Sequence, residues 1–199
     1  MTPSLILASS SPFRRMLLQN AGLSFEARAA EIDERGIEAG LEARHANPQQ
    51  VAVELARAKA LDVARHFPAS LVIGSDQTMS LGDRVYHKPK DLEEARRHIS
   101  SLSGKTHRLN SGVALVRDGD VLWEHVSHAD MTVRPLTENF IDGYVARCGN
   151  MLLASVGAYQ LEGEGIQLFS DIRGDYFTIL GLPMLPLLAK LRELGAIHG

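Results

Sequence analysis

An unbroken apolar run, Leu5-Ile6-Leu7-Ala8, stands near the start of the chain and gives way at once to Ser9-Ser10-Ser11-Pro12. Such a run reads as a buried strand, and a proline preceded by serine reads as the first position of a helix. Ser11 is the expected N-cap. Phe25 to Ile32 suits an extended segment leading to Asp33-Glu34. Asn47-Pro48-Gln49-Gln50 combines an N-cap, a first-position proline and a capping-box glutamine, and the helix it opens carries Val51, Leu55, Ala58 and Leu61 at helical spacing. Leu71-Val72-Ile73-Gly74 is a short buried strand ending in Ser75-Asp76, and Asp91 with Glu94 opens a helix to about Leu102.

The second half continues the alternation. Val113–Val116 and Val121–Trp123, joined through Asp118-Gly119, predict a β-hairpin. Met131 to Arg134 reads as a strand; Phe140, Ile141, Tyr144 and Val145 mark a helix. Gly157 to Phe169 is glycine-rich and β-like, and Pro183 to Leu194 is a final helix closed by Gly195. Strands and helices in alternation predict an α/β fold around a mixed sheet. Pro135 marks a seam rather than a domain boundary. Trp123 and the Leu-rich C-terminal helix are assigned to the core.

Composition narrows the function classes. With 199 residues, 45% of them hydrophobic, the chain can build a real core, either as one large domain or as two closely joined lobes. A net charge of −3 argues against a nucleic-acid partner, which normally goes with a basic surplus. Cys148 is the only cysteine, so an internal disulfide and a cysteine-based zinc site are both excluded. No apolar run approaches a membrane span and no signal sequence precedes Leu5, which sets the expectation of a cytoplasmic protein without a membrane partner.

Three groups of residues carry candidate chemistry. Arg14 and Arg15 fall in the first helical turn, against the macrodipole, and with the serine hydroxyls and free N–H groups they describe a phosphate site. A capped surface helix with solvated arginines explains the same residues. Gly74-Ser75-Asp76-Gln77 places a carboxylate just past a buried strand, where open α/β sheets bind ligands. Asp76 there ligates Mg²⁺, orients water or serves as general base, or else simply forms a turn. Gly74 permits close approach of another backbone or a ligand. Lys59 shares the apolar face of its helix and either snorkels to the core edge or reaches an internal anion. Lys88-Pro89 sits in a loop, and Glu34 is a candidate second metal ligand. Other signals fail: Ser103-Gly104-Lys105-Thr106 lacks the upstream glycine of a Walker loop, having Ile99 there. His125 and His128 point to opposite faces of a strand. Cys148 has no positioned base.

Jointly these residues resemble the Maf family, nucleotide pyrophosphatases also described as septum-formation-inhibitor proteins. The likeness runs through LILASSSPFRRMLL, Asp33-Glu34, LARAKA around Lys59, IGSDQ around Asp76, Lys88-Pro89, LSGKTHRLNSGVAL, VGAYQLEGEGIQLF and GDYFTILGLP. It implies a Maf/inosine triphosphatase-like fold, a mixed twisted sheet with flanking helices and two lobes around a central cleft, often dimeric. It also implies hydrolysis of a nucleoside triphosphate to monophosphate and pyrophosphate, assisted by a divalent cation (Mg²⁺ or Mn²⁺). Asp76 is the implied proton acceptor and a metal ligand with Glu34, while Ser9, Ser11, Arg14, Lys59 and Lys88 surround the triphosphate. Most such sequences have Arg, Thr and Gln at the positions of Phe13, Gln77 and Glu162. This chain instead matches the subgroup resembling 7-methyl-GTP pyrophosphatases, from which Tyr159-Gln160-Leu161 and Tyr86-His87 depart. An aromatic ring in place of arginine suits a cationic 7-methylguanine, and Glu162 suits guanine's edge donors. A nucleotide-binding regulator of cell division without hydrolysis is the competing class; a pyrophosphatase of the inosine-triphosphate type is another.

Overall fold

A computed structural model of the chain describes residues 3–198 and shows the expected α/β architecture. In chain order the elements are β1 (Leu5–Ala8), α1 (Pro12–Asn20), β2 (Glu26–Ala27), α2 (Glu34–Glu42), α3 (Pro48–Ala64), β3 (Leu71–Leu81), β4 (Arg84–Tyr86), α4 (Leu92–Leu102), β5 (Thr106–Arg117), β6 (Asp120–Val133), α5 (Glu138–Cys148), β7 (Phe169–Arg173), α6 (Tyr176–Ile179) and α7 (Met184–Glu193). Hydrogen-bonded strand order is β2-β1-β3-β5-β6-β7, with β4 on β3. The sheet is mixed: β1 runs parallel to β2 and β3, while β4 and β7 pair antiparallel to β3 and β6. The chain divides into two compact units. Met1–Gln77, Asn110–Ser127 and Tyr176–Gly199 form the first, and Thr78–Leu109 with His128–Asp175 the second, so Pro135 lies inside the second unit.

In the first unit, strand alternation sorts side chains onto two faces. Ile6, Ala8, Val72, Ala114 and Val116 pack in one cluster with Ala56, Ala60, Val63 and Ala64 of α3. The small residues have a reason. A β-carbon on Gly74 would overlap the Ala56 carbonyl oxygen and sit 2.8 Å from Ala60 Cβ, and one on Gly112 would overlap Ala52 O and sit 2.7 Å from Val53 N. The close approach anticipated at Gly74 is therefore that of α3. The expected capping box is present: Asn47 Oδ1 accepts from Gln50 N at 2.9 Å, and Asn47 N donates back to Gln50 Oε1 at 2.8 Å.

Several elements differ from the sequence expectation. The strand at Leu71 does not end at Ser75-Asp76 but continues to Leu81. Only Glu26–Ala27 of the Phe25–Ile32 segment pairs in the sheet, and the unexpected α2 follows, capped by Asp33 accepting from Gly36 N at 3.0 Å. The hairpin strands are far longer than expected; Asp118 (φ 53°) and Gly119 (φ 85°) supply the left-handed pair that a type I′ turn demands. Trp123 is only half-buried on β6, stacked on His125 at 5.5 Å, rather than in the core.

In the second unit the Gly157–Phe169 segment is not β-like. It follows a 3₁₀ helix at Gly149–Ala154, folds back on itself in turns and contains a second 3₁₀ helix at Glu164–Leu168, where Gly165 packs against the Gln160 backbone. His107 is buried there with Tyr159 and Phe169; its Nε2 and Tyr159 Oη share a 2.7 Å hydrogen bond, while its Nδ1 has no partner among the described residues. Burial pushes the imidazole pKa from 6.5 down to about 4, against the opposing pull of Asp130. Cys148 is buried, and burial raises its thiol pKa.

Two predictions follow from this packing. Gly74→Ala should cost about 1–3 kcal/mol by forcing α3 off the sheet, read as a lower midpoint in urea; an unchanged midpoint refutes the contact. For His107 the folded state favours the neutral ring, so its contribution is full above the unfolded pKa and is lost as pH falls from about 6.5 towards 4. Stability should drop by up to about 1.4 kcal/mol per pH unit in that window, and His107→Gln should show a shallower fall.

Candidate functional site

The continuation of β3 past Gly74 decides the site. Val72, Gly74 and Asp76 share the face that meets α3, whereas Ile73, Ser75 and Gln77 share the opposite one. Asp76 is thus held mid-strand, buried, rather than presented by a turn past the strand end. On α3, Lys59 lies between Ala56 and Ala60, the residues whose backbones touch Gly74. That proximity brings Lys59 Nζ to 2.5 Å from Asp76 Oδ1. The same ammonium is 3.0 Å from Oε1 of Glu34, which sits in the first turn of α2. Lys59 therefore reaches an internal anion, the buried Asp76 carboxylate, and meets the exposed Glu34 carboxylate as well.

On the other face Arg14 is buried. Its Nε donates to Gly181 O at 2.9 Å, and its Nη1 donates to Ser75 O at 2.7 Å and to Ser9 Oγ at 3.3 Å. Burial lowers the guanidinium pKa, opposed by the Asp76 and Glu34 carboxylates. The Ser75 hydroxyl faces Gly112 O and Gly181 O, each at 2.9 Å. Gly181, with φ at 94°, thus collects two donors on one carbonyl in a backbone conformation that suits glycine. Gln77 Nε2 donates towards Ser111 Oγ at 2.9 Å and the Thr178 and Ile179 carbonyls at 3.1 Å. Arg14 and Gln77 so tie α1 and β3 to the segment from α6 to Gly181.

The turn before α1 is organised as the serines imply. Ser9 Oγ accepts from Ser11 N at 3.2 Å, and Ser11 Oγ, the N-cap, accepts from Arg14 N at 3.4 Å. The backbone N–H groups of Ser10 and Phe13 have no acceptor among the described residues. Phe13 is half-buried beside them, and Arg15 is exposed.

The first unit therefore assembles Ser9, Ser11, Phe13, Arg14, Glu34, Lys59, Asp76 and Gln77. Lys88, exposed beside buried Pro89, and Glu162, exposed between the 3₁₀ helices, belong to the second unit. Sequence reasoning missed Ser75, Ser111, Thr178 and Gly181, which position Arg14 and Gln77 largely through backbone carbonyls. Backbone acceptors leave no residue-type signal. Among the described residues no group of three or more His, Cys, Asp or Glu gathers as a metal site. The donor chemistry nevertheless fits a hard divalent cation. Two carboxylate oxygens already bracket one cationic group, and Mg²⁺ commonly binds one or two carboxylates and takes its remaining ligands from water and substrate phosphate.

Fold and cluster together define an α/β protein with a cation-bridged carboxylate pair reaching a mid-sheet strand. The chain belongs to the Maf-like protein family, whose sequence profile matches residues 4–194. Among its relatives are proteins named 7-methyl-GTP pyrophosphatase: from Rhizobium etli, 70% identical over 199 residues and 100% of both chains; from Rhizobium meliloti (strain 1021), 69% identical over 197 residues and 99% of each; and from Brucella abortus biovar 1, 58% identical over 199 residues and 100% of each.

Replacing Arg14 by lysine retains the charge but removes the fork that serves Gly181 O and Ser75 O together. Arg14→Lys should destabilise by about 2–4 kcal/mol in urea unfolding. A variant as stable as the parent would show that these bonds do not hold α1 to β3.

Proposed function

We propose that this protein is a nucleoside triphosphate pyrophosphatase that hydrolyses 7-methyl-GTP to 7-methyl-GMP and pyrophosphate. The observation that carries the proposal is the Lys59-bridged Asp76–Glu34 pair, in a chain 70% identical end to end to a relative of that name. A triphosphate brings about four negative charges, and attack at the α-phosphorus places more on the phosphoryl oxygens and the departing pyrophosphate. Asp76 and Glu34 would hold a divalent cation, which supplies charge neutralisation along the polyphosphate when bound. Lys59 neutralises phosphate oxygens, and Asp76 accepts the proton of the attacking water. The N–H groups of Ser10 and Phe13, at the start of α1, are donors free to meet phosphate.

The base preference follows from Phe13. Methylation at N7 makes guanine cationic, so an aromatic side chain instead of arginine removes a repulsion and adds about 0.5–2 kcal/mol of cation–π attraction. The roles of Lys88 on the polyphosphate and of Glu162 on the guanine edge rest on the family resemblance. A regulator that binds nucleotide without hydrolysing it has little use for a carboxylate pair backed by a half-buried lysine, and is disfavoured.

Pyrophosphate release from a panel of canonical and modified triphosphates with Mg²⁺ or Mn²⁺ should be fastest with 7-methyl-GTP. Asp76→Asn should lower turnover by roughly 10²–10⁴ while the variant still folds and binds nucleotide. A preference for UTP or dTTP would overturn the base assignment, and near-parental turnover in Asp76→Asn would remove that carboxylate from the reaction.

A further inference from the structure

Lys59 pairs with the same two carboxylates that would hold a divalent cation. Its ammonium lies 2.5 Å from Asp76 Oδ1 and 3.0 Å from Glu34 Oε1, so it already neutralises one oxygen of each carboxylate that would hold a metal. The Lys59–Asp76 contact is sheltered, each side chain being only 12% exposed, whereas Glu34 reaches in from the surface with its side chain 51% exposed. In formal charges, Asp76 and Glu34 are balanced by Lys59 and Arg14, and Arg14 cannot leave, being bound to Gly181 O, Ser75 O and Ser9 Oγ. Lys59 can leave, since a single ammonium on a four-carbon stem swings where a forked guanidinium in a carbonyl cage does not. Metal and ammonium compete for this carboxylate pair, because two cations held a few ångströms apart in a sheltered site repel each other.

We infer that Lys59 is a placeholder: it keeps the carboxylate pair closed to divalent cations until a polyphosphate arrives to take the ammonium, so that metal and substrate bind together. Once a metal covers the carboxylates, Lys59 is released towards the incoming anion, and the cluster changes from neutral to positive as the negative substrate docks. The polyphosphate clause rests on the proposed function; the metal clause does not. The device makes the unliganded protein a poor metal binder even though its donor set fits.

The test is Mn²⁺ binding to nucleotide-free protein, followed by the electron paramagnetic resonance signal of free Mn²⁺. Lys59→Met removes the resident cation and should bind Mn²⁺ at least about tenfold more tightly than the parent, whereas Lys59→Arg, which keeps a cation, should not. Equal Mn²⁺ affinity of the parent and Lys59→Met overturns the inference. Should Lys59→Met fail to fold by circular dichroism, the parent alone decides. Reductive methylation of Lys59, read by mass spectrometry, should rise severalfold at saturating Mn²⁺ as the ammonium is expelled, and an unchanged or lower rate overturns the placeholder. No nucleotide enters these measurements. A protein that hydrolyses no triphosphate but shows the Lys59→Met gain upholds the placeholder and overturns only the hydrolase reading.

Discussion

At Gly74 the backbone of β3 meets the backbone of α3 with no side chain between them, and the chemistry of the first unit depends on that contact. Ala52, Ala56 and Ala60 on the helix, with Gly74 and Gly112 on the strands, form the stripe of small residues that permits it. Two residues beyond Gly74 the same face presents Asp76, and between Ala56 and Ala60 the helix presents Lys59. A wider separation would leave the lysine short of the carboxylate. Close packing has a cost in buried area, since alanine removes little apolar surface from water. The opposite face compensates with Leu5, Leu7, Ile73, Val113 and Leu115, all buried.

The charged groups are arranged across the strand rather than along it. Asp76 faces α3 while its neighbours Ser75 and Gln77 face the Gly181 segment, so one strand carries the candidate reacting carboxylate on one side and its structural support on the other. A part-buried Lys–Asp pair contributes little net stability, because desolvation of both ions offsets their attraction. Its value lies in pre-organisation: the charges are already out of bulk water and already oriented. Arg14 follows a different logic. Two carbonyls and the Ser9 hydroxyl, not carboxylates, take its hydrogen bonds, which makes it a tie between α1, β3 and Gly181 as much as a source of positive charge.

Local signals with a single physical cause were legible in the sequence. The caps at Ser11, Asn47 and Asp91, the prolines at the starts of α1 and α3, and the Asp118-Gly119 turn all appear as read. Tertiary context was not legible. Ser75-Asp76-Gln77 looks like a turn because it is polar, yet it is strand because each residue finds a partner across a face: Lys59 for Asp76, Gly112 and Gly181 for Ser75, Ser111 for Gln77. Glycines hid α2, whose apolar signal rests on Ile37 and Leu41 around Gly36 and Gly40. Glycines also made Gly157–Phe169 look extended, where they in fact allow the chain to fold tightly on Tyr159 and Gln160. The candidate residues Asp76, Lys59 and Glu34 were legible by residue type; their mutual contact depended on how closely α3 lies on the sheet.

Trp123, half-buried and stacked face to face on His125, is the sole indole in the chain, and it lies in the first unit. Of the four phenols, Tyr86, Tyr144 and Tyr159 lie in the second and Tyr176 in the first. The indole alone is therefore an optical label confined to one unit. Selective excitation of the indole follows the half that holds the carboxylate pair, without any dye being attached.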